Sequence, residues 1–145
     1  MTVFTSRSRK ETFTLGGQLA KSLKGGEVLA LYGGLGAGKT SFAAGVINHF
    51  LPGKRVISPT FIIVRHYLTG KKVIKNILHV DLYRLDYKKD LQGLGLDDFF
   101  NQPSTVVIIE WADKMDNLLP GKRTDIRLII KSDKIRSISV NKPEI

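Results

Sequence analysis

The chain of 145 residues contains no cysteine, so disulfide bonds, thiolate metal ligands and a nucleophilic thiol are excluded. It has no apolar run long enough to cross a bilayer, which predicts no membrane association. The first ten residues also lack the apolar segment of a secretory signal. Together with the modest length, these absences predict one domain over residues 1–145, located in the cytoplasm.

Acidic side chains are also scarce, with 13 against 23 basic ones, which gives a net charge of +10. A basic surface attracts polyanions, so the charge is compatible with RNA or an acidic protein as a partner. The lysines, however, are spread along the chain and form no single block. A generally solvated basic surface explains the charge equally well, and composition leaves both interpretations open.

The most specific pattern that is present covers residues 33–40, Gly-Gly-Leu-Gly-Ala-Gly-Lys-Thr. An apolar stretch at 28–32 precedes it and favours a strand, and apolar residues at three- and four-residue steps follow it and favour a helix. This is the context of a P-loop, in which backbone N–H groups and a helix N-terminus bind phosphate. We predict that Lys39 contacts the β- and γ-phosphates and that Thr40 binds Mg²⁺. The predicted phosphate-binding residues are Gly34, Leu35, Gly36, Ala37, Gly38, Lys39 and Thr40.

The remaining pattern predicts an α/β fold, a P-loop NTPase domain whose mixed parallel and antiparallel sheet is flanked by helices. The first helix starts at a capping box, Ser8-Arg9-Lys10-Glu11. Helices are predicted over about residues 9–24, 40–51 and 88–100. Strands are predicted over residues 28–32, 61–67, 73–83, 105–109, 125–130 and 135–140.

Two carboxylates are candidates for the acidic group that a P-loop needs near its metal ion. Glu110 directly follows the continuously apolar strand 105–109, and ligands of α/β sheets bind at the carboxyl ends of strands. We therefore predict a metal-binding role for Glu110, against the alternative of a surface carboxylate. Asp81, near the end of strand 73–83, is interpreted as a residue that holds or orients the attacking water or lies in the outer shell of the metal ion, or alternatively as a turn aspartate at a strand end.

Other side chains near these motifs give weaker signals. Thr60, in Ser-Pro-Thr after the P-loop helix, occupies the place of a switch that senses the γ-phosphate. Trp111, the only tryptophan, is either a core residue or a cover for the nucleotide, because it directly follows Glu110. The histidines lack metal-ligand spacing and are predicted to be structural; they are His49, His66 and His79.

Taken together, the motifs resemble the TsaE (YjeE) family, the small ATPases of bacterial tRNA threonylcarbamoyladenosine synthesis. Their order and spacing agree over roughly residues 8–115. The matching segments are Glu11-Thr12 with Leu15-Gly16 and Leu19-Ala20, the loop 33–40, Ser58-Pro59-Thr60-Phe61, His79-Val80-Asp81-Leu82-Tyr83-Arg84-Leu85 and Ile109-Glu110-Trp111-Ala112-Asp113. One departure is Lys134-Ile135-Arg136, where the family often carries a Gly-Arg pair.

The resemblance implies an enzyme that binds ATP and Mg²⁺ and hydrolyses ATP slowly on its own. It implies TsaD and TsaB as partner proteins, whose complex transfers a threonylcarbamoyl group to the adenosine next to the anticodon of tRNA. It places Thr12 near the adenine, makes Glu110 a Mg²⁺ ligand, and makes Thr60 and Asp81 switch or catalytic residues beside Lys39. Contact with tRNA is expected through the complex, with direct contact also open.

Two other functions remain open at this stage. A free-standing small-molecule kinase also begins with a P-loop, but such enzymes usually add a lid rich in arginine, and the arginines after this P-loop are isolated. A nucleotide-binding module that never hydrolyses is disfavoured by the presence of both Asp81 and Glu110. ATP is favoured over GTP because the nearest match to a guanine-binding N-K-x-D loop, at residues 141–144, ends in Glu and has no helix after it.

Overall fold

A seven-stranded mixed sheet forms the centre of the computed structural model, which describes residues 1–57, 63–85 and 88–143. The strands are β1 (Thr2–Ser6), β2 (Val28–Tyr32), β3 (Val64–Leu68), β4 (Asn76–Asp81), β5 (Thr105–Glu110), β6 (Thr124–Ile130) and β7 (Arg136–Asn141). The α-helices are α1 (Arg9–Ala20), α2 (Lys39–Phe50) and α3 (Lys88–Gln92), and short 3-10 helices cover Leu96–Phe99, Ala112–Lys114 and Asp116–Leu118. The predicted α/β class with a mixed sheet is confirmed.

The strand order is β1-β7-β6-β2-β5-β4-β3. Strand β2 pairs in parallel with both β5 and β6, and β4 pairs in parallel with β5. The outer pairs β3–β4, β6–β7 and β1–β7 are antiparallel. Because the carboxyl ends of parallel strands meet at one edge, the residues that follow β2, β4 and β5 are brought together there.

The central strands are buried on both faces, which explains their continuously apolar sequences. All six residues of β5 are buried, and alternate side chains enter two separate cores. Ile108 packs with α2 on one face, whereas Val107 and Ile109 pack with the 3-10 helices on the other. The sequence prediction of a strand buried on both faces is confirmed at this position.

Two glycines allow helices α1 and α2 to pack backbone against backbone. A Cβ atom at Gly16 would overlap the carbonyl oxygen of Phe42, and one at Gly45 would overlap that of Phe13. This close approach brings the first turn of α1 to the start of α2. The methyl group of Thr12 consequently lies 3.4 Å from the position that a Cβ at Gly38 would take.

Helix α1 begins where the capping box predicts and ends earlier than expected. The hydroxyl of Ser8 accepts a hydrogen bond from the backbone N–H of Glu11 at 3.0 Å. After Ala20 the chain tightens into i→i−3 hydrogen bonds that begin with Lys21 donating to Gln18, so a turn at residues 21–22 ends the helix before the predicted residue 24.

Strand β1 has no counterpart in the sequence prediction, which assigned no element to residues 2–6. Four of its five residues are exposed, so it carries no clear alternation of buried and exposed side chains. It is held instead by antiparallel pairing with β7, in which Thr2 lies opposite Val140. The predicted helical segment 88–100 is divided into α3 and a 3-10 helix, and Gly95 between them adopts a φ of 66°.

Part of the prediction falls outside the described residues, namely the Ser58-Pro59-Thr60 segment and the first two residues of the strand predicted over 61–67. Where the structure is described, no helix is long and apolar enough to cross a membrane.

Candidate nucleotide-binding site

The loop between β2 and α2 requires glycine for its backbone path. Gly36 and Gly38 adopt φ values of 80° and 104°, a region that residues with a side chain rarely enter. Gly38 is the N-cap of α2, and no side chain of the described residues caps this end. The backbone N–H groups of the first turn of α2 have no acceptor within the helix, so they can donate to an anion bound at the loop.

Lys39, the first residue of α2, folds back over this loop. Its Nζ atom donates hydrogen bonds to the carbonyl oxygens of Gly33 at 2.6 Å and Gly34 at 2.9 Å. It also lies 4.0 Å from the centre of the Trp111 ring. Burial lowers the pKa of Lys39 below its usual value, and the nearby carboxylate of Glu110 opposes this decrease. The ammonium group is thus satisfied by neutral acceptors and an aromatic face.

Glu110 ends β5 and is only 2% exposed. Its Oε1 atom accepts a hydrogen bond from the hydroxyl of Thr40 at 2.8 Å, and its Oε2 atom lies 2.6 Å from Nε2 of His79. The two oxygen ligands predicted for a metal ion, Thr40 and Glu110, are therefore neighbours. His79, which the sequence predicts to be structural, contacts a predicted site residue through this ring nitrogen.

Asp81 lies beside Glu110 because β4 and β5 are parallel neighbours in register. It is 3% exposed, and its Oδ1 atom accepts a hydrogen bond from the backbone N–H of Tyr83 at 3.0 Å. Both carboxylates line one cavity at the carboxyl edge of the sheet. Thus the sheet brings together two acids that are 29 residues apart in the chain.

These oxygen donors fit Mg²⁺, which prefers oxygen ligands and is usually held by one or two carboxylates together with substrate phosphates. Within the described ranges, no group of three or more His, Cys, Asp or Glu side chains could hold a metal ion by itself. A metal ion at Thr40 and Glu110 would therefore need further oxygen ligands, from a nucleotide or from water.

The cavity has a volume of about 1450 Å³ and is bounded by the P-loop, the start of α1, the ends of β4 and β5 and the turn between β6 and β7. Its lining includes nearly all the predicted site residues, namely Thr12, Leu35, Gly36, Ala37, Gly38, Lys39, Thr40, Asp81, Glu110 and Trp111. Gly34 is absent from the lining and contributes its carbonyl to Lys39 instead. Thr60 lies outside the described residues.

Thr12 is held at the wall of this cavity by the end of β1. It is 2% exposed, and its hydroxyl forms a 2.7 Å hydrogen bond with the hydroxyl of Ser6. Its methyl group faces the P-loop at Gly38. Strand β1, which the sequence did not predict, therefore helps to position a predicted nucleotide-binding residue.

Trp111 adopts a left-handed backbone conformation, with φ of 59° and ψ of 42°, which costs about 1–3 kcal/mol in a residue that is not glycine. Its ring packs against that of Tyr83 at a centroid distance of 5.3 Å. The sequence left two interpretations of this residue open, a core residue or a cover for the nucleotide. The side chain of Trp111 is partly buried, and its ring lines the cavity and faces Nζ of Lys39.

Sequence reasoning missed the contact of Arg136 with the P-loop. Its Nη2 atom donates to the carbonyl of Gly36 at 3.2 Å, and its Nη1 atom donates to carbonyls in its own turn. No motif links two residues that are 100 positions apart. For His79, by contrast, a signal existed: it is two residues before Asp81 on one strand, so both side chains point to the same face.

A Gly-rich loop between a buried parallel strand and a helix, with acidic residues at the ends of neighbouring strands, defines the P-loop class of α/β proteins. The profile described as "Threonylcarbamoyl adenosine biosynthesis protein TsaE" matches residues 6–138, and the chain belongs to this family. The family acts in tRNA threonylcarbamoyladenosine biosynthesis and binds nucleotide, so the resemblance seen in the motifs is confirmed.

Individual relatives agree with this assignment. The tRNA threonylcarbamoyladenosine biosynthesis protein TsaE of Rickettsia prowazekii is 34% identical over 140 residues, which cover 95% of this chain and 93% of the relative. The protein of the same name from Mycobacterium tuberculosis (strain H37Rv) is 34% identical over 125 residues, which cover 82% and 73%. The crystal structure of Bacillus subtilis YdiB is similar with a TM-score of 0.78 and 29% identity, covering 96% of this chain and 83% of that one.

Proposed function

We propose that this protein is a Mg²⁺-dependent ATPase that acts in tRNA threonylcarbamoyladenosine biosynthesis together with TsaD and TsaB. The observation that carries the proposal is the convergence of Lys39, Thr40, Asp81 and Glu110 on one cavity at the carboxyl edge of the sheet. These four side chains supply a phosphate-binding cation, a metal-binding hydroxyl and two buried carboxylates, which together match the requirements of phosphoryl transfer.

Phosphate binding uses backbone and side-chain donors of the P-loop and of the first turn of α2. The N–H groups at the start of α2 receive the phosphate oxygens, and Thr12 marks the side of the cavity proposed for the adenine. Lys39 leaves the carbonyls of Gly33 and Gly34 to contact the phosphates. This exchange is favourable because the ammonium replaces neutral carbonyl acceptors with anionic phosphate oxygens, so that attraction between opposite charges is added to the hydrogen bonds.

The metal and water roles are divided between the two acids. A bound Mg²⁺ supplies positive charge that stabilises the transferring phosphoryl group. Thr40 and Glu110 would hold it, since their oxygens are already adjacent. Asp81, fixed by the backbone of Tyr83, would orient the attacking water. Thr60 is proposed as the switch residue on the basis of the Ser-Pro-Thr motif.

The partner proteins and the nucleic acid follow from the family resemblance. TsaD and TsaB are proposed to raise the slow turnover of the isolated chain, because a group supplied by a partner can accelerate hydrolysis by about 10³–10⁵. The tRNA is proposed to be reached through that complex. The net charge of +10 would assist its approach, and that contribution should weaken steeply as salt is added.

The test is ATP binding by calorimetry and phosphate release with and without TsaD and TsaB. Lys39→Ala should abolish binding or turnover while the fold persists, and Lys24→Ala is the matched control because it removes the same charge from an exposed position. Absence of ATP binding by the wild-type protein would refute the proposal. Fast phosphate transfer to a small molecule, with no response to the partners, would instead identify a kinase.

A further inference from the structure

A buried histidine contacts the carboxylate that is proposed to bind the metal ion. Nε2 of His79 lies 2.6 Å from Oε2 of Glu110, and the two residues are 0% and 2% exposed. The other oxygen of Glu110 accepts from Thr40 at 2.8 Å. Side chains from β4, β5 and α2 thus form one continuous row of hydrogen bonds beneath the P-loop.

The direction of the histidine hydrogen bond follows from the chemistry of its partner. A carboxylate that binds a metal ion is ionised and can only accept, so in that state Nε2 of His79 donates to Glu110. The Nδ1 atom is buried and has no hydrogen-bond partner among the described residues. In a neutral ring with its proton on Nε2, Nδ1 carries no proton, so no buried N–H donor is left unsatisfied. Among the described residues, the polar contact of this ring is therefore the one to Glu110.

The contact restricts how the carboxylate can turn. One carboxylate oxygen of Glu110 contacts His79 and the other accepts a hydrogen bond from Thr40, so these two contacts fix the orientation of the carboxylate group. Carboxylates that bind metal ions are commonly oriented by hydrogen bonds of this kind, and loss of such a partner typically costs about 10–100-fold in metal affinity.

We propose that His79 is a positioning residue that orients Glu110 and thereby sets the Mg²⁺ dependence of nucleotide binding. The proposal rests on the proposed function, since it assumes a nucleotide and metal ion at this site. Strand β4 then contributes two side chains from one face. Asp81 lines the cavity, and His79, two residues earlier, forms a hydrogen bond with Glu110 on the neighbouring strand β5.

Three substitutions separate the hydrogen bond from the volume of the ring. His79→Met fills similar space without a donor, and His79→Gln retains an amide N–H near the position of Nε2. His79→Asn carries the same amide on a shorter side chain, which does not reach Glu110. His66→Met is the matched control, because His66 is an exposed histidine on the adjacent strand β3 and contacts Asn76 instead.

The measurement is the affinity for ATP by calorimetry over a series of Mg²⁺ concentrations and in the presence of EDTA, with thermal melting to confirm folding. We expect His79→Met and His79→Asn to raise the Mg²⁺ concentration at half effect by about 10–100-fold. Affinity in EDTA should stay at the wild-type value. His79→Gln should restore most of the Mg²⁺ response, and His66→Met should match the wild type.

Two results would overturn the positioning role. One is that His79→Met leaves the Mg²⁺ concentration at half effect, the Mg²⁺ midpoint, unchanged. The other is that the variant loses the same affinity for ATP with and without Mg²⁺, which a purely structural residue would produce. If the Met variant does not fold, the comparison of Gln with Asn decides, and equal Mg²⁺ midpoints in those two would refute the proposal. Failure of the proposed function is distinguished from all of these because the wild-type protein itself would then bind no nucleotide.

Discussion

The ammonium nitrogen of Lys39 lies 4.0 Å from the centre of the Trp111 ring, on the wall of the candidate site. A cation over the face of an indole ring is attracted by about 0.5–2 kcal/mol, depending on how far the pair is removed from water. Lys39 is 5% exposed, so the contact belongs to the stronger part of that range. Nucleotide binding must break or rearrange this contact if Lys39 is to reach the phosphates.

The fluorescence of Trp111 should therefore report the position of Lys39. We expect ATP to shift or quench the emission, because the cation leaves the ring as it contacts phosphate. Lys39→Ala should already differ from the wild type without nucleotide, since the contact is lost, and should not respond to ATP. The chain has one tryptophan, so the signal has a single source. Unchanged emission at ATP concentrations that calorimetry shows to be saturating would contradict the prediction.

Glu110 and Asp81 should respond differently to substitution. Glu110→Ala is expected to weaken nucleotide binding only when Mg²⁺ is present, because its carboxylate is proposed as a metal ligand. Asp81→Asn should lower turnover by about 10²–10⁴ with a smaller effect on affinity, since a group that orients or deprotonates water acts in the transition state.

The control for these acids is Asp97→Asn, which alters an exposed carboxylate in the 3-10 helix 96–99. Steady-state hydrolysis with TsaD and TsaB, together with calorimetric affinities, separates the two effects. Wild-type rates in both Glu110→Ala and Asp81→Asn would show that the carboxylates have no part in the chemistry.

Gly45 should tolerate no side chain, because a Cβ atom there would overlap the carbonyl oxygen of Phe13. We expect Gly45→Ala to destabilise the fold by about 1–3 kcal/mol, the usual cost of overpacking. Gly17→Ala is the control on the facing helix, since its Cβ would meet the nearest atom at an ordinary 3.5 Å. That control should be neutral or stabilising by up to about 1 kcal/mol. Denaturant unfolding measures both, and equal stabilities of the two variants would contradict the packing argument.

Arg136 should contribute to the shape of the phosphate loop. Arg136→Ala removes the hydrogen bond to Gly36 and is expected to weaken ATP binding by about tenfold, which corresponds to about 1.4 kcal/mol. Arg136→Lys should recover only part of this affinity, because an ammonium cannot bridge the same set of carbonyls as the guanidinium fork. Arg65→Ala, at an exposed position on β3, is the control in the calorimetric titration. An affinity equal to the wild type in Arg136→Ala would exclude the contribution.

Much of the candidate site could be predicted because its signals are local. The P-loop is eight consecutive residues between a strand and a helix, and its glycines report a backbone path that other residues avoid. Glu110 was found because a continuously apolar strand precedes it, and Ser8 because capping requires a hydroxyl three residues before Glu11. Each of these arguments uses residues that are close together in the chain.

Other parts of the site depend on residues that are distant in the chain. Strand β1 is mostly exposed and is held by backbone pairing with β7, so it shows no alternation of buried and exposed side chains. Its composition carried a signal that the prediction did not use, because Thr2, Val3 and Phe4 are residue types that favour strands. The contact between His79 and Glu110 requires β4 and β5 to be neighbours, and a histidine alone does not indicate that order.

The amino-acid sequence by itself determined the family, the phosphate-binding loop and the two acidic candidates, because these are encoded by adjacent residues or regular spacing. The tertiary structure decided which side chains support them. Arg136 reaches Gly36 only because the antiparallel β6–β7 pair returns the chain to the P-loop, and Trp111 lies over Lys39 only because β5 is adjacent to β2. Such contacts follow from strand order, which is set by how both faces of the sheet are buried and not by any single segment.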